Sequence, residues 1–325
     1  MIKFFRQSYA VQYVVIVLLA IALWIPAFVS GTSAADSGSL ATPIFNLLDG
    51  WFGASSIGRK IFALLLLIFE ALIFNAMLVN NKIIGKVSTM GGFVFVLMMS
   101  LTETQTDFYP FALACVFILL VISNLFEVYQ LQNPEIGLLK VGILVALASM
   151  CYFPSILLVL WVMIALPIAK KGSFRLELIP ISGFLFTYFC YFVGVYLFGN
   201  LLTVLQSYRD GFLMLQLSIE GFNYKNIILL AFLLLTSVAM LLGSPGLEKT
   251  FSVRLKMSIV ILLLLVSIIM LFFAGNVIRN GLIFLLLAII FSYVFSYMSN
   301  TGLADLVLAL CLLLVFANHY YFKIL

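Results

Sequence analysis

Apolar runs long enough to cross a membrane recur along this chain. The first, Tyr9–Val29, holds no Asp, Glu, Lys or Arg, and about 20 apolar residues in an α-helix span the ~30 Å hydrocarbon core of a bilayer. Only 9% of all residues are charged, against roughly 25% in soluble domains. The sequence therefore excludes a soluble globular domain and predicts an all-α, polytopic integral membrane protein.

The spacing of these runs predicts about eleven transmembrane helices (range 10–12) in a single membrane domain that covers residues 1–325. Two loops between them, 31–58 and 199–226, are longer than a turn. The predicted spans are Tyr9–Val29, Ile61–Val79, Val87–Leu101, Phe108–Val128, Leu138–Cys151, Pro154–Ile168, Leu178–Phe198, Ile227–Gly243, Lys256–Ala274, Val277–Met298 and Leu303–Tyr321.

Three of these spans, Val87–Leu101, Leu138–Cys151 and Pro154–Ile168, are too short to cross the bilayer unaided. Pro154 interrupts the helix between the last two because its ring removes a hydrogen-bond donor and restricts the preceding residue. The two segments form either a short buried hairpin or one long kinked helix. One helix would move the basic loop at Lys170 to the other side of the membrane, so we favour the hairpin.

Positive charge sets the predicted orientation in a bacterial inner (cytoplasmic) membrane, since cytoplasmic loops are enriched in Lys and Arg. With the N-terminus cytoplasmic and the C-terminus periplasmic, eleven of the 17 Lys and Arg residues lie inside and six lie outside. The net charge of +5 follows from this bias. No basic tract interleaved with aromatic residues is present, so no nucleic-acid partner is indicated.

Both long loops lie outside and carry apolar residues at helical spacing, which predicts interfacial helices on the outer leaflet. The apolar positions are Leu40, Ile44, Leu47, Leu48 and Trp51 in the first loop, and Leu201, Val204, Leu205, Tyr208, Phe212, Leu215 and Ile219 in the second. These helices either pack as interfacial plugs or wall a cavity for a lipid-linked substrate.

Four acidic residues of the outside loops are weak catalytic candidates: Asp36, Asp49, Glu103 and Asp107. Carboxylates in converging loops can form a general base or a divalent-metal site. Scattered loop acids are more often simply solvated. His319 is the single histidine and no CxxC motif is present, so we expect no metal centre and no cofactor.

Glu70 differs from these acids because it lies near the middle of a predicted span, with the polar residues Asn75 and Asn124 in similar settings. An ionised acid there costs at least ~2.5–3.5 kcal/mol on translocon scales. We expect Glu70 to be a protonated hydrogen-bond donor to another helix, with a proton relay or substrate contact as the alternative. The two asparagines are expected to join helices by hydrogen bonds.

The order of several segments along the chain resembles that of a known family. The segments are basic Met1–Arg6, the helix end Leu23–Phe28, Val141–Pro154, Phe174–Glu177 and Ile181–Phe184. Nearly the whole chain resembles a family of polytopic inner-membrane proteins of Bacteroidota, often labelled beta-carotene monooxygenases. That label implies iron held by four histidines, and this chain has one.

The chain also resembles GT-C type glycosyltransferases in three features. These are the first helix, the outside loop with its interfacial helix, and the short hairpin that turns at Tyr152-Phe153-Pro154-Ser155. Those enzymes take sugars from polyprenyl-phosphate carriers at the outer leaflet. The resemblance implies that Asp36 or Asp49 is the catalytic acid, although neither has the acidic neighbour usual in that family.

These features favour a non-catalytic membrane subunit of a cell-envelope, secretion or motility complex, with membrane lipids and other membrane proteins as partners. The alternative is a polyprenyl-phosphate-linked sugar transferase that acts at the outer leaflet and binds a polyprenyl lipid. A transporter is less favoured, because no inverted repeat is evident in the sequence.

The predicted topology can be tested with reporter fusions that are active only in the periplasm. We expect fusions after Ser55 and Gln216 to be active and fusions after Lys86 and Gly172 to be inactive. An inactive fusion at Gln216 together with an active one at Gly172 would contradict both the hairpin and the periplasmic C-terminus.

Overall fold

The computed structural model describes thirteen segments of the chain: residues 2–7, 9–29, 42–52, 56–84, 88–101, 108–131, 133–168, 173–199, 201–214, 233–237, 251–274, 281–298 and 301–317. Within these ranges the regular elements are helices, without a strand, as predicted. They are α1 Ile2–Phe5, α2 Ala10–Val29, α3 Pro43–Phe52, α4 Ser56–Asn80, α5 Met90–Met99, α6 Pro110–Val128, α7 Glu135–Cys151, a 3-10 helix Phe153–Leu157, α8 Leu158–Ile168, α9 Phe174–Phe198, α10 Leu201–Met214, α11 Phe251–Ala274, α12 Gly281–Tyr297 and α13 Thr301–Ala317. Residues 233–237 are also helical.

Five helices are long and apolar enough to cross a membrane, which indicates a membrane protein. They are Ala10–Val29, Ile57–Asn80, Pro110–Val128, Phe174–Leu197 and Phe251–Met270. Shorter apolar helices, among them α5, α12 and most of α13, accompany them.

The core of the bundle is the pair formed by α5 and α12. Every residue of α5 is buried, and so is every residue of α12 from Gly281 to Phe295. α5 packs against α12, α4 and α2. At 1.5 Å per residue its ten residues cover only about half of a ~30 Å hydrocarbon core. A helix this short ends inside the bundle, where protein rather than lipid has to satisfy its terminal backbone groups.

One end of the bundle, which we call the N-terminal face, is held together by α1 and the residue that follows it. The backbone N–H of Ile2 donates to Asp305 Oδ1 in α13 over 2.8 Å. The Arg6 guanidinium donates to the carbonyls of Phe295 and Met298, each over 2.7 Å. A cation at the C-terminal end of a helix also interacts favourably with the helix dipole. The beginning of the chain is therefore fixed to the two last helices described.

The other end, the opposite face, brings together the end of α2, the start of α4 and the end of α7. Lys60 Nζ donates to the carbonyl of Ala27. Thr42 Oγ1 donates to the carbonyl of Cys151 over 3.1 Å, and this bond fixes the chain entering α3 to the end of α7. α3 therefore lies at this face.

The chain reverses direction around Pro154, as the predicted hairpin requires. In the contacts between α7 and α9, the residue numbers increase together along both helices, so the helices are parallel. Glu135 pairs with Arg175, Gly142 adjoins Pro180, and Ser149 bonds to Tyr188. Because α7 and α9 run in the same direction, α8 has to return between them. The hairpin is only partly buried, since α8 exposes the apolar side chains Leu160, Ile164 and Ile168.

The predicted count of eleven spans remains a prediction. Most of the predicted span Ile227–Gly243 lies outside the described residues, which include only 233–237 of it. α9 runs away from the N-terminal face, whereas α11 begins there, with Lys256 Nζ donating to the carbonyl of Asn81.

The backbones of α7 and α9 are in close contact, so a methyl group added at this contact should destabilise the fold. A Cβ on Gly142 would lie 2.1 Å from the carbonyl oxygen of Pro180, and a Cβ on Gly183 would lie 2.7 Å from that of Leu139. We expect Gly142→Ala to lower the thermal midpoint in detergent by several degrees, because overpacking costs about 1–3 kcal/mol or more.

Gly194→Ala, in the partner helix α9, is the matched control, since nothing lies within 4 Å of a Cβ at that position. Its midpoint should stay level or rise, because Ala favours a helix over Gly by up to ~1 kcal/mol. Equal midpoints for Gly142→Ala and the wild type would contradict the contact.

Candidate functional site

A groove of about 690 Å³ opens between α3, α9 and α10 near the opposite face. Small residues recur four positions apart on two of its walls: Cys190 and Gly194 on α9, and Thr203 and Ser207 on α10. Residues at this spacing share one face of a helix. The groove is lined by Asn46, Leu47, Cys190, Tyr191, Gly194, Val195, Gly199, Thr203, Val204 and Ser207.

Tyrosines beside this groove fix α10 to the hairpin. Tyr188 OH and Ser149 Oγ share a hydrogen bond of 2.9 Å. The ring of Tyr208, from α10, lies 6.2 Å from the rings of Tyr188 and Phe153. Burial, followed by the neighbouring tyrosines, raises the pKa of Tyr208. Its phenol is therefore neutral at physiological pH, and its ring packs against the rings of Tyr188 and Phe153.

Both long loops contain a helix, as predicted: α3 lies in the first and α10 in the second. In α3, Leu47 and Trp51 are exposed as a lipid-facing surface requires, at 69% and 82%. Phe45 was not among the apolar positions predicted for this helix. It is buried and stacks on Phe108, with ring centroids 4.9 Å apart. α3 is thus apolar on a second face, and that face holds it against the bundle.

Asp49 is the one outside-loop acid whose side chain is described, and it is paired. Arg59 Nη2 donates to Asp49 Oδ2, and the two side chains are 26% and 23% exposed. The pair joins α3 to the start of α4, which is a structural use of the carboxylate. Asp36, Glu103 and Asp107 lie outside the described residues.

Glu70 lies inside the bundle with only 1% of its surface exposed. Its carboxyl shares a hydrogen bond with the thiol of Cys115 on α6, so it links two helices. The second oxygen, Oε1, has no hydrogen-bond partner. The structure thus places Glu70 among apolar helices and away from both faces.

The two asparagines differ in their contacts. Asn75 Oδ1 accepts the N–H of Gly92 over 3.3 Å, and its Nδ2 approaches Tyr13 OH at 3.5 Å, so it links α4 to α5 and α2. Asn124 Nδ2 instead donates to the carbonyl of Leu120 in its own helix over 2.8 Å. An interhelical bond was predicted for both, and for Asn124 the observed bond is a local one.

Within the described segments, no three His, Cys, Asp or Glu side chains come together as a metal site would require. Comparison with protein-family models, with curated proteins and with solved structures found no match. Function is therefore argued from the geometry alone.

Substitutions at Asp49 separate its structural use from a catalytic one. If Asp49 only pairs with Arg59, Asp49→Asn and Arg59→Gln should have equally small effects, since partly exposed ion pairs contribute about 0–1 kcal/mol. Both variants should complement a deletion strain at normal protein levels. Loss of complementation by Asp49→Asn alone, with the protein still accumulating, would make Asp49 a catalytic residue.

Proposed function

We propose that this protein is a non-catalytic integral membrane subunit of a bacterial cell-envelope, secretion or motility complex. In this proposal it lies in the inner membrane, with a cytoplasmic N-terminus and a periplasmic C-terminus. The observation that supports the proposal is the groove between α3, α9 and α10, whose walls suit a transmembrane helix of a partner protein.

Small residues are what such an interface needs. In lipid, helices associate through close packing, which Gly, Ser, Thr and similar residues permit. The chain already uses this chemistry where Gly142 and Gly183 let the backbones of α7 and α9 touch. The groove presents Gly194 with open space around its α-carbon, beside Cys190 and between the walls of α9 and α10.

The alternative function is a polyprenyl-phosphate-linked sugar transferase of GT-C type. The same groove favours it, since a lipid chain could lie along the apolar residues Leu47, Val195 and Val204. α3 also carries Asp49, one of the two residues, Asp36 and Asp49, that could be the acid this hypothesis requires. The ion pair with Arg59 is the observation against it, because the pair already gives this carboxylate a structural role between α3 and α4.

Filling the groove tests the subunit proposal. We expect Gly194→Leu to remove membrane proteins that co-purify in stoichiometric amounts with the wild type in mild detergent. Gly50→Leu is the control: Gly50 also has open space around it but does not line the groove. It should retain the partners.

The thiol of Cys190 reports whether the groove is occupied, because it lines the groove and is exposed while Cys115, Cys151 and Cys311 are buried. A bound partner should protect Cys190 from maleimide in native membranes, with reactivity returning after the partner is dissociated. Equal labelling in both states, without a co-purifying protein, would contradict the subunit proposal. A polyprenyl lipid that the wild type retains and Gly194→Leu loses would support the transferase.

A further inference from the structure

A second, much smaller cavity lies inside the bundle among α2, α4, α5 and α6. Its volume is about 20 Å³, and Trp24, Leu67, Glu70, Met99 and Phe111 contribute to its lining. It is separate from the groove and shares no residue with it.

Two polar atoms of side chains that line this cavity are buried without a hydrogen-bond partner: Trp24 Nε1 and Glu70 Oε1. Both side chains are 1% exposed. Leaving such a group unsatisfied destabilises the folded protein, and a charged group does so more strongly. Two of them at one cavity indicate that something occupies it.

The size and chemistry of the cavity identify the occupant. A buried water requires at least about 10–15 Å³ of space for its centre and two to four polar partners, and both conditions are met here. The indole N–H only donates, so the occupant has to accept a hydrogen bond. A bare metal cation accepts none and would be repelled by this donor. Water both accepts from an indole and donates to a carboxyl oxygen.

We propose that the cavity binds one water molecule, which accepts a hydrogen bond from Trp24 Nε1 and donates one to Glu70 Oε1. The water then bridges α2 to α4, and the bond between Glu70 and Cys115 extends the connection to α6. Glu70 is in this way a hydrated carboxyl group inside a membrane-spanning bundle. This site is independent of the partner groove, so either proposal can fail without the other.

The sign of a stability change tests the site. The variants are compared in a Cys115→Ala background, in which the bond between Glu70 and Cys115 is already absent. There, Glu70→Met keeps an unbranched chain but removes the oxygens. If water bridges the two groups, this variant loses the bridge and its thermal midpoint in detergent falls a few degrees below that of Cys115→Ala. If the cavity is dry, the variant removes an unsatisfied polar atom and the midpoint rises. Glu70→Gln retains an oxygen acceptor and should stay close to Cys115→Ala.

Ser292→Ala is the matched control, since Ser292 Oγ is also buried without a hydrogen-bond partner and lies elsewhere, on α12. Ser292 does not line the cavity at Glu70. Its midpoint should not fall as that of Glu70→Met does.

Fluorescence gives a readout that does not depend on stability. In a Trp51→Phe, Trp161→Phe background the emission comes from Trp24 alone, because the chain has three tryptophans. Loss of water from the indole N–H in Glu70→Met should shift this emission to shorter wavelength, while Glu70→Gln should leave it in place. A raised midpoint for Glu70→Met, or a Trp24 emission that Glu70→Met does not move, would overturn the proposal.

Discussion

Lipid offers no hydrogen-bonding groups, so every backbone N–H and C=O in the hydrocarbon core has to be satisfied within the protein. α5 is the element for which this constraint is strongest, because ten residues cannot carry both of its ends to water. The chain meets the constraint by surrounding α5 with α12, α4 and α2. Further out, α9 packs against α7, α8 and α10 and exposes apolar side chains such as Phe186 and Phe189.

Cationic side chains satisfy backbone carbonyls at the ends of several helices. Arg6 donates to carbonyls at the end of α12, Lys60 to Ala27 near the end of α2, and Lys256 to Asn81 just beyond α4. Each places positive charge where carbonyls point out of a helix and where the dipole favours it. Basic residues therefore satisfy backbone groups at both faces of the bundle, and the described ion pairs, such as the one at Asp49, add to this at the surface.

Features local in sequence could be predicted, and features that depend on tertiary contact could not. Long apolar runs located α2 and α6 to within two residues, and Pro154 located the reversal between α7 and α9. Hydropathy does not distinguish an apolar residue that faces lipid from one that faces protein, so the burial of Met90–Met99 was not anticipated. A cavity walled by α3 and α10 was one of two alternatives from the sequence, but its lining could not be predicted, because the groove forms only where Asn46 and Leu47 of α3 meet α9 and α10. The cavity at Glu70 likewise requires Trp24, which lies 46 positions earlier.

The pairing of α5 with α12 has a consequence for biosynthesis. These helices are separated by more than half of the chain, from Met99 to Gly281. At roughly 5–20 residues per second, a ribosome needs roughly 10–40 s to make that stretch. During this time α5 lacks α12, its main neighbour. The residues whose carbonyls accept the hydrogen bonds of Arg6 have not yet been synthesised. The nascent protein thus has to be shielded, by the insertion machinery or by a partner, until its last helices arrive.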